Sequence, residues 1–137
     1  MSPPVRITRE ALYAVLAHAR RERGLECCGL LAGRAGVITT VFPTKNSLAS
    51  AVAFEIAPTE LFQLFHRMRE LALDHLGIYH SHLAGDNAPS PTDIERAYYP
   101  DVAYVIVSPR EDSPWPVRAF SIRGEGVAEL AVETVQG

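Results

Sequence analysis

An excess of charge of either sign is the first thing this sequence lacks. Thirteen basic and sixteen acidic residues leave a formal charge of -3. With no strong positive field, nucleic acid and anionic membrane surfaces are not expected as partners. Long apolar runs are missing as well, and none approaches the roughly 20 residues needed to span a bilayer. The opening stretch to Arg9 holds two prolines and no apolar h-region, so no secretory signal is expected there. Cysteine is scarce: Cys27 and Cys28 are the only two, and they are adjacent. A disulfide framework needs pairs that close loops, and this pair closes none. A reducing cytoplasm is the expected setting. Repeats, linkers and low-complexity segments are absent, and the single tryptophan, Trp115, sits between two prolines as the expected anchor of a loop.

What is present describes an ordinary globular chain. Its 137 residues are 47% hydrophobic and 21% charged, which suits one domain, 1–137, around one core. Thr8 can cap a helix over 9–23 that stops at Gly24, with Leu12, Val15, Leu16 and Ala19 on one face. The period then changes to an apolar run from Cys27 to Ala32, closed by Gly33-Arg34-Ala35-Gly36. A β-branched run over 37–42 follows, and the two read as a hairpin. Residues 43–50 form a polar loop, and 52–56 reads as another strand.

Ala57-Pro58-Thr59-Glu60 opens a second helix. Leu61, Leu64, Phe65, Met68, Leu71 and Ala72 form its inner stripe, and Gly77 is its expected end. Residues 78–82 read as a strand, 83–89 as a loop, and Ser90-Pro91-Thr92-Asp93 starts a third helix that is over by Pro100. Further strands are expected over 102–107, 117–122 and 127–132. The order α-β-β-β-α-β-α-β-β-β implies an α/β fold, a mixed sheet flanked by helices.

The chemistry gathers at His80-Ser81-His82. Side chains alternate along a strand, so the two histidines share a face with Cα atoms about 6.5 to 7 Å apart. Two imidazoles so placed can converge on one tetrahedral ion. Asp93, on the first turn of the next helix, supplies a third donor, and a catalytic zinc site keeps three protein ligands with the fourth position open. Such a metal lowers the pKa of a bound water to about 7. Ser90, three residues before Asp93, can donate to a developing oxyanion. Glu26, at the lip of the first predicted strand, can take a proton from that water and return it to the leaving nitrogen.

Each member alone has a plainer reading. Ser90 and Asp93 form S-x-x-D, a helix capping box. His80 and His82 alone are a weak metal signal, and Glu26 alone is a solvated strand end. The combination carries the specificity, because H-x-H-x7-S-x2-D should arise by chance in roughly a few chains per ten thousand. Elsewhere, Cys27 and Cys28 read as small buried filler on opposite faces. His18, His66 and His75 read as partly exposed surface residues on helices, and Asp86 as a solvated loop residue or a partner that orients a ligand histidine.

The run from His80 through Ser90 to Asp93 resembles the signature of the JAMM metalloproteases, also called MPN-domain or Mov34-type proteins. The upstream Glu26-Cys-Cys-Gly-Leu-Leu-Ala-Gly33 resembles that family's first-strand motif. The resemblance implies a mixed sheet between helices, related to zinc deaminases. It also implies one zinc held by His80, His82 and Asp93, with Glu26 as general acid/base and Ser90 steadying the tetrahedral intermediate. One departure is Leu83, where the family usually has proline. Another is that segments 45–54 and 95–101 are short, so the insertions that grip ubiquitin are not expected. The likeness is to minimal bacterial members that act on small ubiquitin-like sulfur carriers. The expected partner is a small β-grasp protein with a Gly-Gly C-terminus, its tail lying along an exposed sheet edge beside the metal. Competing readings are a non-catalytic MPN-type scaffold and another zinc amidohydrolase, RadC-like or deaminase-like. The scaffold class usually loses ligands, whereas here all are present. Deaminases place their metal on Pro-Cys-x-x-Cys, and no Cys-x-x-Cys exists here.

Overall fold

A computed structural model describes residues 3–114 and 116–136, so Trp115 lies outside the described residues. Eight strands form one sheet in the order β7-β6-β5-β4-β2-β3-β1-β8. The strands are β1 (Val5–Thr8), β2 (Cys28–Arg34), β3 (Val37–Thr44), β4 (Asp74–Ser81), β5 (Ala103–Val107), β6 (Val117–Arg123), β7 (Gly126–Leu130) and β8 (Val132–Val135). The helices are α1 (Arg9–Arg21), α2 (Pro58–Glu70) and α3 (Pro91–Glu95). The sheet is mixed. At its centre β4 runs antiparallel to β2 and parallel to β5. The expected α/β class with helices on a mixed sheet therefore holds.

The two faces have separate cores. Val15 and Ala19 of α1 pack with Ile7, Cys27, Leu31, Tyr79 and Val105 on one face. Met68 of α2 packs with Cys28, Leu30, Ile78, Tyr104 and Ile106 on the other, joined by Ile94 of α3. This split follows from strand alternation, since Cys27 and Cys28, or Ile78 and Tyr79, must point to opposite sides.

Several local expectations change. Residues 5–8 form a strand that was not expected. Its four residues, VRIT, are too few to show a period, and only pairing with β3 and β8 defines them. Residues 52–56 form no strand. Their backbone is tied to the preceding loop instead: Ala53 O accepts from Asn46 Nδ2, Glu55 N donates to Asn46 Oδ1, and Glu55 O accepts from Ser47 N. Helix α2 ends at Glu70 rather than at Gly77. Ala72 makes the left-handed exit at φ 56°, and Leu73 N reaches back to Met68 O at 2.8 Å, the 6→1 bond of a Schellman ending. Gly77 lies inside β4. An added Cβ there would come within 3.1 Å of Ala103 O and of Leu31 Cδ1, so glycine lets the strands close up. His18 is buried, not partly exposed, and its Nδ1 lies 2.7 Å from Tyr79 Oη. His75 lies on β4 rather than on a helix.

The expected strand 127–132 is two strands. Only Ala131 separates β7 from β8, yet they sit at opposite ends of the sheet order. The sheet therefore curls until its edges meet, with Val5 N donating to Ala131 O at 2.8 Å. One consequence concerns ligand binding. Because β4 is paired on both sides, no sheet edge borders the two histidines, contrary to the expectation of an edge beside them. No described helix is long and apolar enough to cross a membrane.

Candidate active site

The ladder between β2 and β4 brings the first elements together. Cys28 pairs with His80, and in an antiparallel ladder each step back on one strand is a step forward on the other. Glu26 therefore stands across from His82, and alternation puts Glu26, Cys28, His80 and His82 on one face. The pairing continues past the assigned strand ends: Ser81 N donates to Cys27 O and His82 N to Val107 O, both at 3.0 Å. Ser81 Oγ accepts from Cys27 N at 2.8 Å, which locks the two strand ends.

The third element is α3. Ser90 is its N-cap, and the capping box is complete. Ser90 Oγ accepts from Asp93 N at 3.1 Å, and Ser90 N donates to Asp93 Oδ2 at 2.9 Å. The plain reading of this pair is therefore correct as far as it goes. It does not exhaust Ser90, because an accepting hydroxyl still has its own proton to donate.

His80 Nε2, His82 Nε2 and Asp93 Oδ2 form a nearly equilateral triangle, with edges of 3.1, 3.0 and 3.2 Å. Bonds of 2.0–2.1 Å to a tetrahedral zinc would place ligand atoms about 3.3 Å apart. Three lone-pair donors this close repel one another unless protons or a cation lie among them. The donor set thus fits a zinc ion in both spacing and chemistry. Glu26, His80 and His82 also offer donor atoms within 4.8 Å of one another, so the histidines are shared between two carboxylates.

Electrostatics separates those carboxylates. Burial alone would raise the pKa of Asp93, but hydrogen bonds from His80, His82 and the Ser90 backbone hold it well below the usual carboxylate range. Glu26 is 4% exposed, and burial pushes its carboxyl up to about 7, with Asp93 adding to the rise and His82 opposing it. Among the described residues its Oε1 has no hydrogen-bond partner. The plain expectation of a solvated strand end is thus wrong. Burial lowers the pKa of His80. At His82 burial acts in the same direction, but the neighbouring Asp93 outweighs it and the pKa rises.

Sequence reasoning missed the supports. Phe54 stacks on His80 with ring centroids 4.5 Å apart and planes 22° apart. His80 Nδ1 is buried without a hydrogen-bond partner among the described residues. The ring is thus oriented by stacking rather than by the usual bond to its second nitrogen. Asn46 is 3% exposed, and its Nδ2 donates to Glu26 O at 3.0 Å. Glu26 N donates to Ser50 O at 2.9 Å, so the glutamate backbone is fixed from both ends. In the sequence, Asn46 is one polar residue in a polar loop, and nothing there distinguishes it. Asp86 is exposed, and its carboxylate accepts from Ala88 N. It shifts His82 only through space. Cys27 and Cys28 are buried filler, with burial pushing their thiols up to about 11 and about 12.

Comparison with known proteins identifies relatives over most of the chain. The CysO-cysteine peptidase of Mycobacterium tuberculosis is 33% identical over 132 residues, covering 95% of this chain and 90% of the relative. The desampylase of Haloferax volcanii is 36% identical over 110 residues, covering 75% of this chain and 79% of that one. A solution structure of a Desulfitobacterium hafniense protein superposes with a TM-score of 0.85 at 31% identity, covering 96% of this chain and 93% of the other. The family model for prokaryotic homologs of the JAB domain matches residues 8–122, and the chain belongs to that family.

Proposed function

We propose that this chain is a zinc-dependent metallopeptidase that hydrolyses the amide bond after the C-terminal tail of a small ubiquitin-like or sulfur-carrier protein. The carrying observation is the triangle of His80 Nε2, His82 Nε2 and Asp93 Oδ2, 3.0 to 3.2 Å on a side, beside the buried carboxylate of Glu26. His80, His82 and Asp93 would hold the ion. Asp93 suits a ligand because it stays ionised, and Glu26 suits a proton carrier because it titrates near neutrality. When bound, zinc supplies Lewis-acid polarisation of a carbonyl and brings the pKa of a water to about 7.

The residues then have separate tasks. Glu26 Oε1 takes the proton of the attacking water and passes it to the leaving nitrogen. Ser90 keeps its lone pair on Asp93 N and donates its hydroxyl proton to the developing oxyanion. Phe54 holds His80, and Asn46 holds Glu26. A peptidase and a desampylase among the relatives support hydrolysis at the tail of a small protein. The proposed partner is a β-grasp protein ending in Gly-Gly. With no sheet edge at the site, its tail would lie against segment 53–57, which is neither helix nor strand and stacks Phe54 on His80, where a crowded approach favours glycine. The free thiols of Cys27 and Cys28 suit a cytoplasmic setting.

The test is a Gly-Gly-tailed carrier fused to one further amino acid. Mass spectrometry should show loss of that residue with zinc-loaded protein. Glu26→Gln should retain zinc and lose turnover by about 10² or more. A Val-Val tail should resist. Equal cleavage of both tails would rule out the crowded approach, and full activity of Glu26→Gln would rule out its role.

A further inference from the structure

Three residues behind the candidate metal site face two spaces at once. Phe54, Tyr104 and Arg96 border a narrow cleft of about 20 Å³ that also touches His80, Asp93 and Thr92. The same three border a larger cavity of about 350 Å³, walled further by Ile56, Leu61, Ile78, Tyr98 and Tyr99. They form a partition between the metal-binding side chains and an aromatic pocket. The pocket has room for any single amino-acid side chain.

Arg96 is the one cation in this partition. It closes α3 as its C-cap, three residues after Asp93, so it lies one turn on, beside the same helix face. Among the described residues no side-chain hydrogen bond or ion pair engages its guanidinium. Arg34, Arg110, Arg118 and Arg123 each have a partner, and what distinguishes Arg96 from the other arginines without one is that it borders both spaces. Glu55, the other charged residue of the large cavity, is exposed like Arg96 but does not border the narrow cleft. An unpaired guanidinium between a metal site and an apolar pocket is suited to a carboxylate attached to an apolar side chain.

We propose that Arg96 recognises the free α-carboxylate of a single amino acid on the leaving side of the scissile bond, and that the aromatic cavity takes that residue's side chain. The inference rests on the peptidase reading above and makes it more specific. In a peptide the α-carboxyl carbon of the leaving residue is two bonds from the scissile nitrogen. A cation that reads it must therefore stand within one side chain of the reacting centre, and Arg96 borders the narrow cleft that touches His80 and Asp93. Water supplies hydroxyl to the carrier's carbonyl carbon and a proton to the leaving nitrogen as the C–N bond breaks. The products are the carrier's carboxylate and one free amino acid, and the carboxylate held by Arg96 takes no part in the bond changes. The chain is thus a processing exopeptidase with a preference for a large apolar terminal residue, rather than an enzyme built to separate two folded proteins.

The experiment compares carriers ending in Gly-Gly-Phe with a free acid, Gly-Gly-Phe carboxamide, and Gly-Gly-Asp. Zinc-loaded protein should cleave the Phe acid roughly 10- to 100-fold faster than its amide in kcat/KM, the scale of one charge-assisted pair. It should also prefer Phe to Asp. Arg96→Gln should bring the acid-to-amide ratio to about one. Calorimetry on zinc-loaded Glu26→Gln should show the same acid preference in binding, lost when Arg96→Gln is added, which separates recognition from turnover. Equal cleavage of acid and amide by the unaltered protein would overturn the role of Arg96 while leaving the peptidase reading standing. Equal cleavage of Phe and Asp would overturn the role of the cavity. No cleavage of any carrier, with zinc bound, would overturn both this proposal and the reading on which it rests.

Discussion

Replacing Asn46 by aspartate tests how the fold holds Glu26. The side chain keeps its shape, but its nitrogen becomes a carboxylate oxygen. Asn46 Nδ2 donates to Glu26 O at 3.0 Å, Ser50 O at 3.3 Å and Ala53 O at 2.9 Å. Its Oδ1 accepts from Leu48 N at 3.1 Å and Glu55 N at 3.2 Å. Asn46→Asp preserves the accepting half and inverts the donating half, leaving three carbonyls facing an oxygen. The buried Glu26 carbonyl should cost about 1–3 kcal/mol, and the two partly buried ones, which water can reach, about 0.5–1 kcal/mol each. The expected loss is about 2–5 kcal/mol, a large share of the roughly 5–15 kcal/mol that stabilises a domain. Protonating the new carboxyl returns one donor, so the loss should be smaller at pH 5 than at pH 8. Urea unfolding at both pH values measures it. Turnover should fall further than stability does, because Glu26 and the 50–57 segment are both released. A loss below about 0.5 kcal/mol at pH 8 would refute the account of Asn46 as the tie between the loop and Glu26.

Four other outcomes are expected. His82→Ala should reduce zinc from near one per chain to substoichiometric levels by elemental analysis, because a tetrahedral site with two protein ligands is weak. Phe54→Ala frees the ring of His80 and should weaken zinc binding by about 10- to 100-fold in a chelator competition, the scale for lost orienting partners. Ser90→Ala removes the cap, which should cost about 1 kcal/mol in thermal or urea unfolding. If the hydroxyl also serves the oxyanion, turnover falls by about 10²–10³, whereas unchanged turnover would reduce Ser90 to a cap. In zinc-free protein, Glu26 has a folded pKa raised from 4.5 to about 7. Its contribution is fully present below pH 4.5 and is lost as pH rises through 7, so Glu26→Gln should gain about 2–3 kcal/mol on the parent across that window in urea unfolding.

How much of this was legible from sequence depended on whether the signal was local. The H-x-H spacing was readable because alternation on a strand is a two-residue rule, and the S-x-x-D pair because a cap spans one turn. The hairpin of β2 and β3 is marked by its own turn residues. What the sequence hid was decided by partners far along the chain. Strand β1 exists because β3 and β8 pair with it, and β7 and β8 read as one strand because only the closing of the sheet separates them. Residues 52–56 alternate like a strand, yet the alternation serves Phe54 on His80 and Ile56 in the core while the backbone bonds to Asn46. The burial of Glu26 was invisible for the same reason, since the cover comes from a loop some twenty residues away.

The loop between His82 and Asp93 shows how a missing local device is replaced by a distant one. Proline after His82 would stiffen that exit by fixing φ, and this chain has Leu83. The loop instead includes two backbone positions with positive φ, Gly85 at 94° and Asn87 at 64°, which local preference alone would leave poorly specified. Two arginines from later elements supply the constraint. Arg110 Nη2 donates to Gly85 O and Arg118 Nη1 to Asp86 O, both at 2.9 Å. Arg118 is itself held by both carboxylate oxygens of Glu129 at 3.0 and 2.8 Å, so its position is set by the β6–β7 ladder. Because these bonds lie at the surface, each is worth little to global stability. Their effect is on where α3 begins, and hence on where Asp93 meets the histidines. The Arg118 and Arg110 contacts are therefore expected to matter more to zinc affinity and turnover than to unfolding. That separation is what a brace on a loop predicts and a core contact does not.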